Sequence, residues 1–171
     1  MFFLYLDIPL GTLNRLVTYM SGILGGDSKR VSLSPLEDWV VGLVTVDGLD
    51  FHYRDLIKEE CAKACEGWQG IGFSLTRLII KDTKVLVPLE GGLQELKECR
   101  ERLVQDLSKY PDCSVKVIDV DTLFIGMLNG AQDGEVRFKR PISWTAQTLW
   151  IGIKDEDYGT RRLYRLQFGG R

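Results

Sequence analysis

The order of hydrophobic patterns along the chain constrains its fold more than any other feature of the sequence. Apolar residues recur at helical spacing in three segments, 10–24, 53–66 and 93–109. The other segments have the short apolar or alternating pattern of strands, and only strand patterns follow the third helix. Parallel βαβ units would alternate strands and helices to the end. The order therefore predicts an α+β fold, with about three helices packed on mostly antiparallel sheet.

The predicted strands are apolar runs that end at turn residues. Residues 2–8 form one run, and residues 39–46 form a second that ends at the turn signal Asp47-Gly48. Residues 27–37 between them are polar and are predicted as a loop. The remaining predicted strands are a hairpin of 73–80 and 84–89, an apolar segment of one bent strand or two at 114–128, and strands at 135–140, 143–153 and 161–168.

Composition and charge argue against several classes of protein. The 171 residues include 22 Lys+Arg and 24 Asp+Glu, a formal net charge of −2. A general binder of polyanions usually has a basic excess. The apolar run at the N-terminus ends at Asp7, which makes it too short for a signal sequence or a membrane span. We expect a single soluble, cytoplasmic domain without membrane contact.

The histidine and cysteine content limits the chemistry. His52 is the one histidine in the sequence, which excludes any mechanism that needs two. Cys61 and Cys65 stand four residues apart on a predicted helix, but no second pair completes a zinc site. The four cysteines are therefore expected to be reduced thiols, and we predict neither a metal nor a cofactor. The sequence also lacks a P-loop and a G-x-S-x-G nucleophile motif.

Four stretches occur in an order that matches a known family: FLYLDIPL at 3–10, FSLTRL at 73–78, VLVPLEGGLQEL at 85–96 and the segment 144–168. In this order the chain resembles the 2H phosphoesterases, which include LigT-like RNA 2′,3′-cyclic phosphodiesterases. The resemblance implies a bilobal 2H-phosphoesterase-like fold. It also implies one domain, 1–171, whose two lobes share a central cleft.

That family uses two His-x-Thr/Ser motifs, one in each lobe, and this chain lacks both histidines. In the family one imidazole takes a proton from the attacking group, the other protonates the leaving oxygen, and the hydroxyls hold the phosphate. The positions that the resemblance assigns are Val40 and Gly42 for the first motif (alternative register Leu43 and Thr45) and Val120 and Thr122 for the second.

A second alignment places the two motifs at 72–77 and 141–144, where serines follow the missing histidines. It leaves a longer segment before the first motif than the family pattern has, so the first alignment is preferred. His52 precedes a predicted helix and matches neither motif. In both alignments the general acid and base are absent, and each such group is typically worth 10²–10⁴-fold in rate.

Basic residues next to aromatic residues are the candidates for ligand binding. Arg137 and Lys139 alternate on a predicted strand near Trp144, as on surfaces that bind single-stranded nucleic acid. An edge strand protected by charge would show the same pattern, and the arginines in 161–165 share both interpretations. The predicted ligand-binding residues are Thr45, Thr122, Arg30, Arg77, Arg137, Lys139 and Trp144.

Two further groups are interpreted structurally. Trp39, Trp68 and Trp150 are predicted to lie in the core. Asp119 and Asp121 alternate on a predicted strand, and we assign them to a solvent face, although paired carboxylates could also hold Mg²⁺.

Three hypotheses of function follow. In the first, the chain is a catalytically degenerate 2H-phosphoesterase-like protein that binds or sequesters a nucleotide, a cyclic or 2′-5′ oligonucleotide or an RNA end. In the second, it is an active phosphodiesterase on such bonds with unusual groups, such as Thr45, Thr122, Asp121 or His52. In the third, it is a non-catalytic subunit that binds a protein partner.

Overall fold

Helices and strands follow one another in nearly the predicted order in the computed structural model, which describes residues 1–26, 31–34, 39–155 and 159–169. The helices are α1 (Leu10–Leu24), α2 (Arg54–Glu66) and α3 (Leu93–Leu107). The strands are β1 (Phe2–Leu6), β2 (Val31–Leu33), β3 (Val41–Asp47), β4 (Ile71–Lys81), β5 (Lys84–Pro88), β6 (Ser114–Val117), β7 (Thr122–Leu128), β8 (Gly134–Ala146), β9 (Thr148–Asp155) and β10 (Gly159–Gln167).

The strands form two five-stranded sheets. The first sheet has the order β10-β9-β1-β3-β6, and the second has the order β2-β7-β5-β4-β8. All of these strand pairs are antiparallel. The α+β fold with antiparallel sheets and three helices is thus confirmed for the described residues.

The helices cover different sheets. Helices α2 and α3 pack on the first sheet, and α1 packs on β8 of the second. Phe2, Leu4 and Leu6 of β1 are buried, and they belong to a hydrophobic core that extends through both sheets. Burial of one such side chain is worth about 1.5–3 kcal/mol. None of the described helices has the length and apolar content that crossing a membrane requires.

The apolar segment 114–128 is two strands that belong to different sheets. Strand β6 pairs with β3 at the edge of the first sheet, and β7 pairs with β2 and β5 in the second. Asp119 and Asp121 lie in the connection between them, so the prediction of a strand at these carboxylates is wrong. Strand β2, within the predicted loop, was not predicted either, because its three residues are too few to show a pattern.

Strand β8 runs through Pro141, where the sequence predicts a break between two strands. It is the edge strand of the second sheet, and residues 138–141 have no paired partner in β4. Proline lacks the N–H that a central strand donates, but an edge or a bulge tolerates it. The proline therefore marks an irregularity within one strand.

The cysteines are free thiols, as predicted. Cys61, Cys65 and Cys99 are buried, and Cys113 is half-buried. Burial raises the pKa of Cys65 and of Cys99 to about 12. These groups are therefore protonated at neutral pH and contribute apolar packing rather than nucleophiles.

Candidate functional site

A buried arginine on α3 joins the two predicted motif segments. Arg100 is 4% exposed. Its Nε and Nη2 donate to the carbonyl oxygen of Gly42 at 3.2 and 2.8 Å. Its Nη2 also donates to the carbonyl oxygen of Val120 at 3.2 Å, and its Nη1 donates to Oδ1 of Asp121 at 2.7 Å. Because one guanidinium bonds both segments, the start of β3 and the segment before β7 lie side by side.

The motif positions themselves are apolar. Val40 is half-buried, and Val120 is 58% exposed. A Cβ atom on Gly42 would lie 2.8 Å from Cγ2 of Ile118, so the isoleucine fills the space that a threonine would need there. We call Val40, Gly42, Ile118 and Val120 the apolar end of the cleft. It holds no group that could transfer a proton.

The alternative register places different side chains at the first motif. Leu43 is fully buried and cannot contact a ligand. Thr45 is half-buried and pairs with Phe3 and Lys116 on the neighbouring strands. In this register the first motif would keep the hydroxyl of Thr45 but would have the buried Leu43 in place of the histidine.

A row of side chains crosses the first sheet from the apolar end. Gly42, Tyr5, Trp150 and Arg165 are direct neighbours on β3, β1, β9 and β10. Residues directly opposite each other lie on the same face of a sheet, so the row forms one surface. Trp150 is half-buried in this row, and the prediction that it belongs to the core is wrong.

Two arginines surround the indole of Trp150. The Cζ of Arg162 lies 4.6 Å from the ring centroid, and the Cζ of Arg165 lies 5.9 Å from it. Arg162 also pairs with Asp7 at 3.6 Å, whereas Arg165 has no carboxylate partner among the described residues. We call Trp150, Arg162 and Arg165 the cationic end of the cleft.

A polar cavity of about 320 Å³ opens at the cationic end. Trp150 and Arg165 line it together with Asp7, Thr145 and Gln147. The Nε1 of Trp150 is buried and has no hydrogen-bond acceptor in the described part of the chain. An unpaired buried donor costs about 1–3 kcal/mol. The cavity therefore combines a cation, Arg165, with polar side chains that can donate or accept hydrogen bonds.

Tyr5 lies between the two ends and does not supply a base. It is buried, and this burial raises its pKa, while the neighbouring Arg162 acts in the opposite direction. The phenol is therefore neutral at physiological pH. The two carboxylates beside the row, Asp7 and Asp121, are each paired with an arginine. The titratable groups beside the row are thus a neutral phenol and two carboxylates that are paired with arginines.

No protein-family profile and no curated protein matches the chain, but solved structures do. The structure of E. coli LigT with NADP+ matches with a TM-score of 0.66 and 10% identity, over 99% of this chain and 98% of that chain. LigT with 3′-AMP matches with a TM-score of 0.65 and 10% identity, over 98% and 97%. TT0787 of Thermus thermophilus matches with a TM-score of 0.65 and 10% identity, over 99% and 98%.

The chain has the LigT fold. The likeness extends over nearly the full length of both chains, and at this identity it establishes the architecture. The bilobal fold expected from the 2H phosphoesterases is therefore confirmed.

Two residues predicted to bind ligand are engaged within the second sheet of this LigT fold. Arg77 pairs with Glu90 at 3.4 Å and with Glu135 at 3.2 Å, so its charge is balanced. Trp144 is 7% exposed and packs on Phe73, with ring centroids 5.4 Å apart. Arg77 is thus ion-paired with two carboxylates, and Trp144 is buried against an aromatic neighbour.

The other predicted residues are scattered. Thr122 is half-buried and pairs with Pro88 in the second sheet. Arg137 and Lys139 line a separate cavity against α1, away from the row on the first sheet. Arg30 lies outside the described residues. The structure does not bring these residues into one site with the cationic end.

The second alignment also has a structural counterpart. Ser74 and Ser143 are directly paired on β4 and β8, and both line a shallow cavity of about 410 Å³. Thr145 lines this cavity and the polar cavity at the cationic end. These serines therefore extend the polar wall of the cleft.

His52 lies away from the motif positions. It follows the end of β3, whereas Gly42 is near the start of that strand. Its side chain is 88% exposed, and its Nδ1 lies 2.9 Å from Oδ1 of Asp50. Within the described ranges, no group of three or more His, Cys, Asp and Glu residues could hold a metal ion.

The cationic end was missed because each of its residues had a plausible structural interpretation. The indole of Trp150 lies in an apolar segment, and arginines on an edge strand resemble protection against aggregation. The available signal was the concentration of arginines at 161, 162 and 165. Arg162 and Arg165 are three residues apart, and they share a side because the strand is irregular between Arg162 and Tyr164. The signal did not show which tryptophan these arginines contact.

Proposed function

We propose that this chain is a catalytically inactive protein of the LigT fold that binds a nucleotide, a cyclic or 2′-5′ oligonucleotide or an RNA end in its cleft. The observation that carries the proposal is that the cleft has one cationic end and one apolar end. Its donors gather at Trp150, Arg162 and Arg165, while the motif positions hold apolar groups.

The apolar end supports the loss of catalysis. Hydrolysis of a phosphodiester in this family pattern needs one group to deprotonate the nucleophile and another to protonate the leaving oxygen. Val40 and Val120 can do neither, and each missing group removes about 10²–10⁴-fold in rate. His52 and Asp121 do not replace them, because His52 lies elsewhere and Asp121 is bonded to Arg100.

The cationic end supports binding of a ligand that combines a ring with phosphate. Arginines beside an aromatic ring are typical of surfaces that bind single-stranded nucleic acids and nucleotides. E. coli LigT has been crystallised with 3′-AMP and with NADP+, which both combine a base with phosphate. The unpaired Arg165 and the polar cavity beside it suit the same combination.

Equilibrium dialysis followed by mass spectrometry tests both parts of the proposal. The protein is dialysed against cyclic mononucleotides, 2′,3′-cyclic-ended oligonucleotides and 2′-5′ oligonucleotides, and each compartment is then analysed. We expect at least one ligand to be enriched with the protein and recovered intact. Conversion to product would show that the protein is an enzyme. If no ligand is enriched, the third hypothesis, that the chain is a non-catalytic subunit that binds a protein partner, becomes the better one.

A pair of charge reversals locates the site. Arg165→Glu removes the unpaired cation of the cavity and should weaken binding of the enriched ligand at least tenfold. Lys84→Glu changes the same charge on the exposed β4–β5 hairpin and should change binding less than twofold. Equal effects of the two variants would place the ligand outside the cationic end.

A further inference from the structure

The cavity against α1 has a volume of about 710 Å³ and lies outside the cleft, between the exposed side of α1 and strand β8. We call it the helix groove. Its lining includes three apolar and three basic side chains: Tyr19, Ile23, Val136, Arg15, Arg137 and Lys139. None of these residues belongs to the apolar end or the cationic end, so the helix groove is independent of the proposed function.

The wall of the helix groove is apolar and fixed in position. Tyr19 stacks on the buried ring of Phe138, with centroids 5.4 Å apart and planes inclined by 21°. Ile23 is half-buried, and Val136 is 40% exposed. An apolar concavity of this size is typical of a site for a small molecule.

Three cations surround this apolar wall. Arg15 lies on α1, and Arg137 and Lys139 lie on β8. None of the three has a carboxylate partner in the described part of the chain, and no acidic side chain lines the groove there. The chain as a whole has a net charge of −2, so this local excess of positive charge runs against the overall balance. Unpaired cations around an apolar cavity favour an anion with an apolar body.

We propose that the helix groove binds an amphiphilic anion, a single acidic head group on an aliphatic or aromatic body. The body would lie on Tyr19, Ile23 and Val136, and the head would contact the basic side chains. A protein–protein interface generally uses about twenty residues a side, which is more than line this groove. A bilayer surface is flat, whereas the site is concave. Both features favour a small ligand.

Laurate is the probe for this proposal, measured by isothermal titration below its micelle concentration. We expect saturable binding to one site. Butyrate has the same head without the chain, and 1-decanol has a long chain without the charge. Each should bind at least tenfold more weakly than laurate. Equal binding of laurate and decanol would overturn the role of the cations, and the absence of saturable binding would overturn the proposal.

The helix groove contains a glycine that allows a test by filling it. Gly22 lines the groove and a Cβ atom on it would meet no atom within 4 Å, so Gly22→Phe starts a ring from an open position at the groove. Gly11→Phe is the matched control, because Gly11 is on the same face of α1, about three turns earlier, and is equally open. We expect Gly22→Phe to weaken laurate binding at least tenfold and Gly11→Phe to leave it unchanged.

Both variants should have the circular dichroism spectrum of the wild type. A loss of laurate binding in Gly22→Phe would then result from the filled groove and not from unfolding. Unchanged binding in Gly22→Phe would show that laurate binds elsewhere and would overturn the proposal.

Arg137→Ala and Lys139→Ala together should also weaken binding of laurate at least tenfold, while Arg165→Glu should not change it. A labelled peptide of alternating Glu and Leu tests whether the groove binds a protein segment in place of a small molecule. If it binds in a Gly22-dependent way and laurate does not, the site serves a protein segment instead.

Discussion

Arg100 is the single residue on which the arrangement of the cleft most depends. Its guanidinium is buried, and all of its nitrogen atoms have acceptors: the carbonyl oxygens of Gly42 and Val120 and the carboxylate of Asp121. Removing the guanidinium would leave the buried carbonyl oxygen of Gly42 without its side-chain donor, which costs about 1–3 kcal/mol, whereas Val120 and Asp121 are exposed enough for water to replace their bonds. Arg100 therefore reinforces a junction that the backbone also makes, since β6 pairs with β3 and the N–H of Ile118 donates to the carbonyl oxygen of Leu43 at 3.0 Å.

Arg100→Met should lower the free energy of unfolding by about 1–3 kcal/mol, because it leaves the buried carbonyl oxygen of Gly42 without its side-chain donor. Arg102→Met is the control on the same helix. Arg102 forms an exposed pair with Asp106 at 2.8 Å, and its loss should cost less than about 1 kcal/mol. Urea denaturation measures both changes. Similar small losses in the two variants would show that Arg100 does not hold the segments together.

The buried thiols predict a dependence of stability on pH. Burial raises the pKa of Cys65 and Cys99 from about 9 to about 12, so the unfolded chain loses these protons at lower pH than the folded one. Stability from this source is complete below pH 9 and is lost as the pH rises toward 12. Between pH 8 and pH 10 we expect a loss of about 1 kcal/mol per thiol.

Urea denaturation of the wild type and of Cys65→Ala/Cys99→Ala at pH 8 and pH 10 measures this effect. The double variant loses packing at both pH values, but its stability should fall less steeply with pH. Lysines and tyrosines titrate equally in the two proteins, so their contribution cancels in the comparison. Parallel pH dependences would mean that the thiols are less buried than the structure has them.

At the residue scale, the sequence can indicate a position that depends on the order of segments, but not one that depends on a contact between distant segments. The motif positions Val40 and Val120 came from the order of segments, which needs no side-chain contact. Arg100 lies on a helix whose exposed face is charged, and nothing in the sequence distinguishes it from its neighbours Lys97 and Glu101. Its role depends on carbonyl oxygens far along the chain, which a local pattern does not contain.

Among the elements, the short strand β2 depends on one glycine of β7. A Cβ atom on Gly126 would lie 2.3 Å from the carbonyl oxygen of Ser32, a distance at which the two strands must separate. Strand β2 has just three residues and packs at the edge of the second sheet. Its attachment therefore depends on the close approach that glycine allows at this position.

Gly126→Ala should lower the free energy of unfolding by about 1–3 kcal/mol, the usual cost of overpacking, and should release β2 from the sheet. Gly72→Ala on β4 of the same sheet is the control, since a Cβ atom there would meet nothing within 4 Å. Hydrogen exchange of the β2 amides and urea denaturation report the two effects. If the two variants exchange and unfold alike, the contact with Ser32 does not hold β2.

The helices could be predicted closely because each has its own amphipathic period. Helix α1 has the predicted bounds, and α2 and α3 differ from the prediction by one or two residues. The strands from residue 114 onward were harder, because continuous apolar runs contain no sign of which sheet each part joins. The division into β6 and β7 follows from the separation of the two sheets, a property of the whole fold.

At the scale of the whole molecule, the LigT fold is kept while the groups expected to transfer protons are absent. The fold needs a core, two sheets and three helices, which this sequence supplies with about 10% identity to LigT. Catalysis in the family pattern needs two imidazoles at the cleft, which this sequence does not supply. The architecture therefore does not depend on the residues that carry the family's proton transfer.

This separation predicts that catalysis can be introduced by few substitutions. Val40→His and Val120→His would supply the acid and base, and Gly42→Thr would join the existing Thr122 as a second hydroxyl. Ile118→Ala must accompany them, because Ile118 fills the space beside position 42. We expect the fourfold variant to hydrolyse 2′,3′-cyclic AMP at least 10²-fold faster than the wild type, with a bell-shaped dependence on pH.

The matched control carries glutamine in place of each introduced histidine, with the other two substitutions unchanged. Glutamine is similar in size and forms hydrogen bonds, but it does not titrate near neutral pH, so this control should remain inactive. If the histidine variant folds and binds nucleotide yet stays inactive, the start of β3 and the segment before β7 do not face the same phosphate group. Activity restricted to the histidine variant would instead mean that the two segments face one phosphate and that the imidazoles at positions 40 and 120 are the groups that carry the proton transfer.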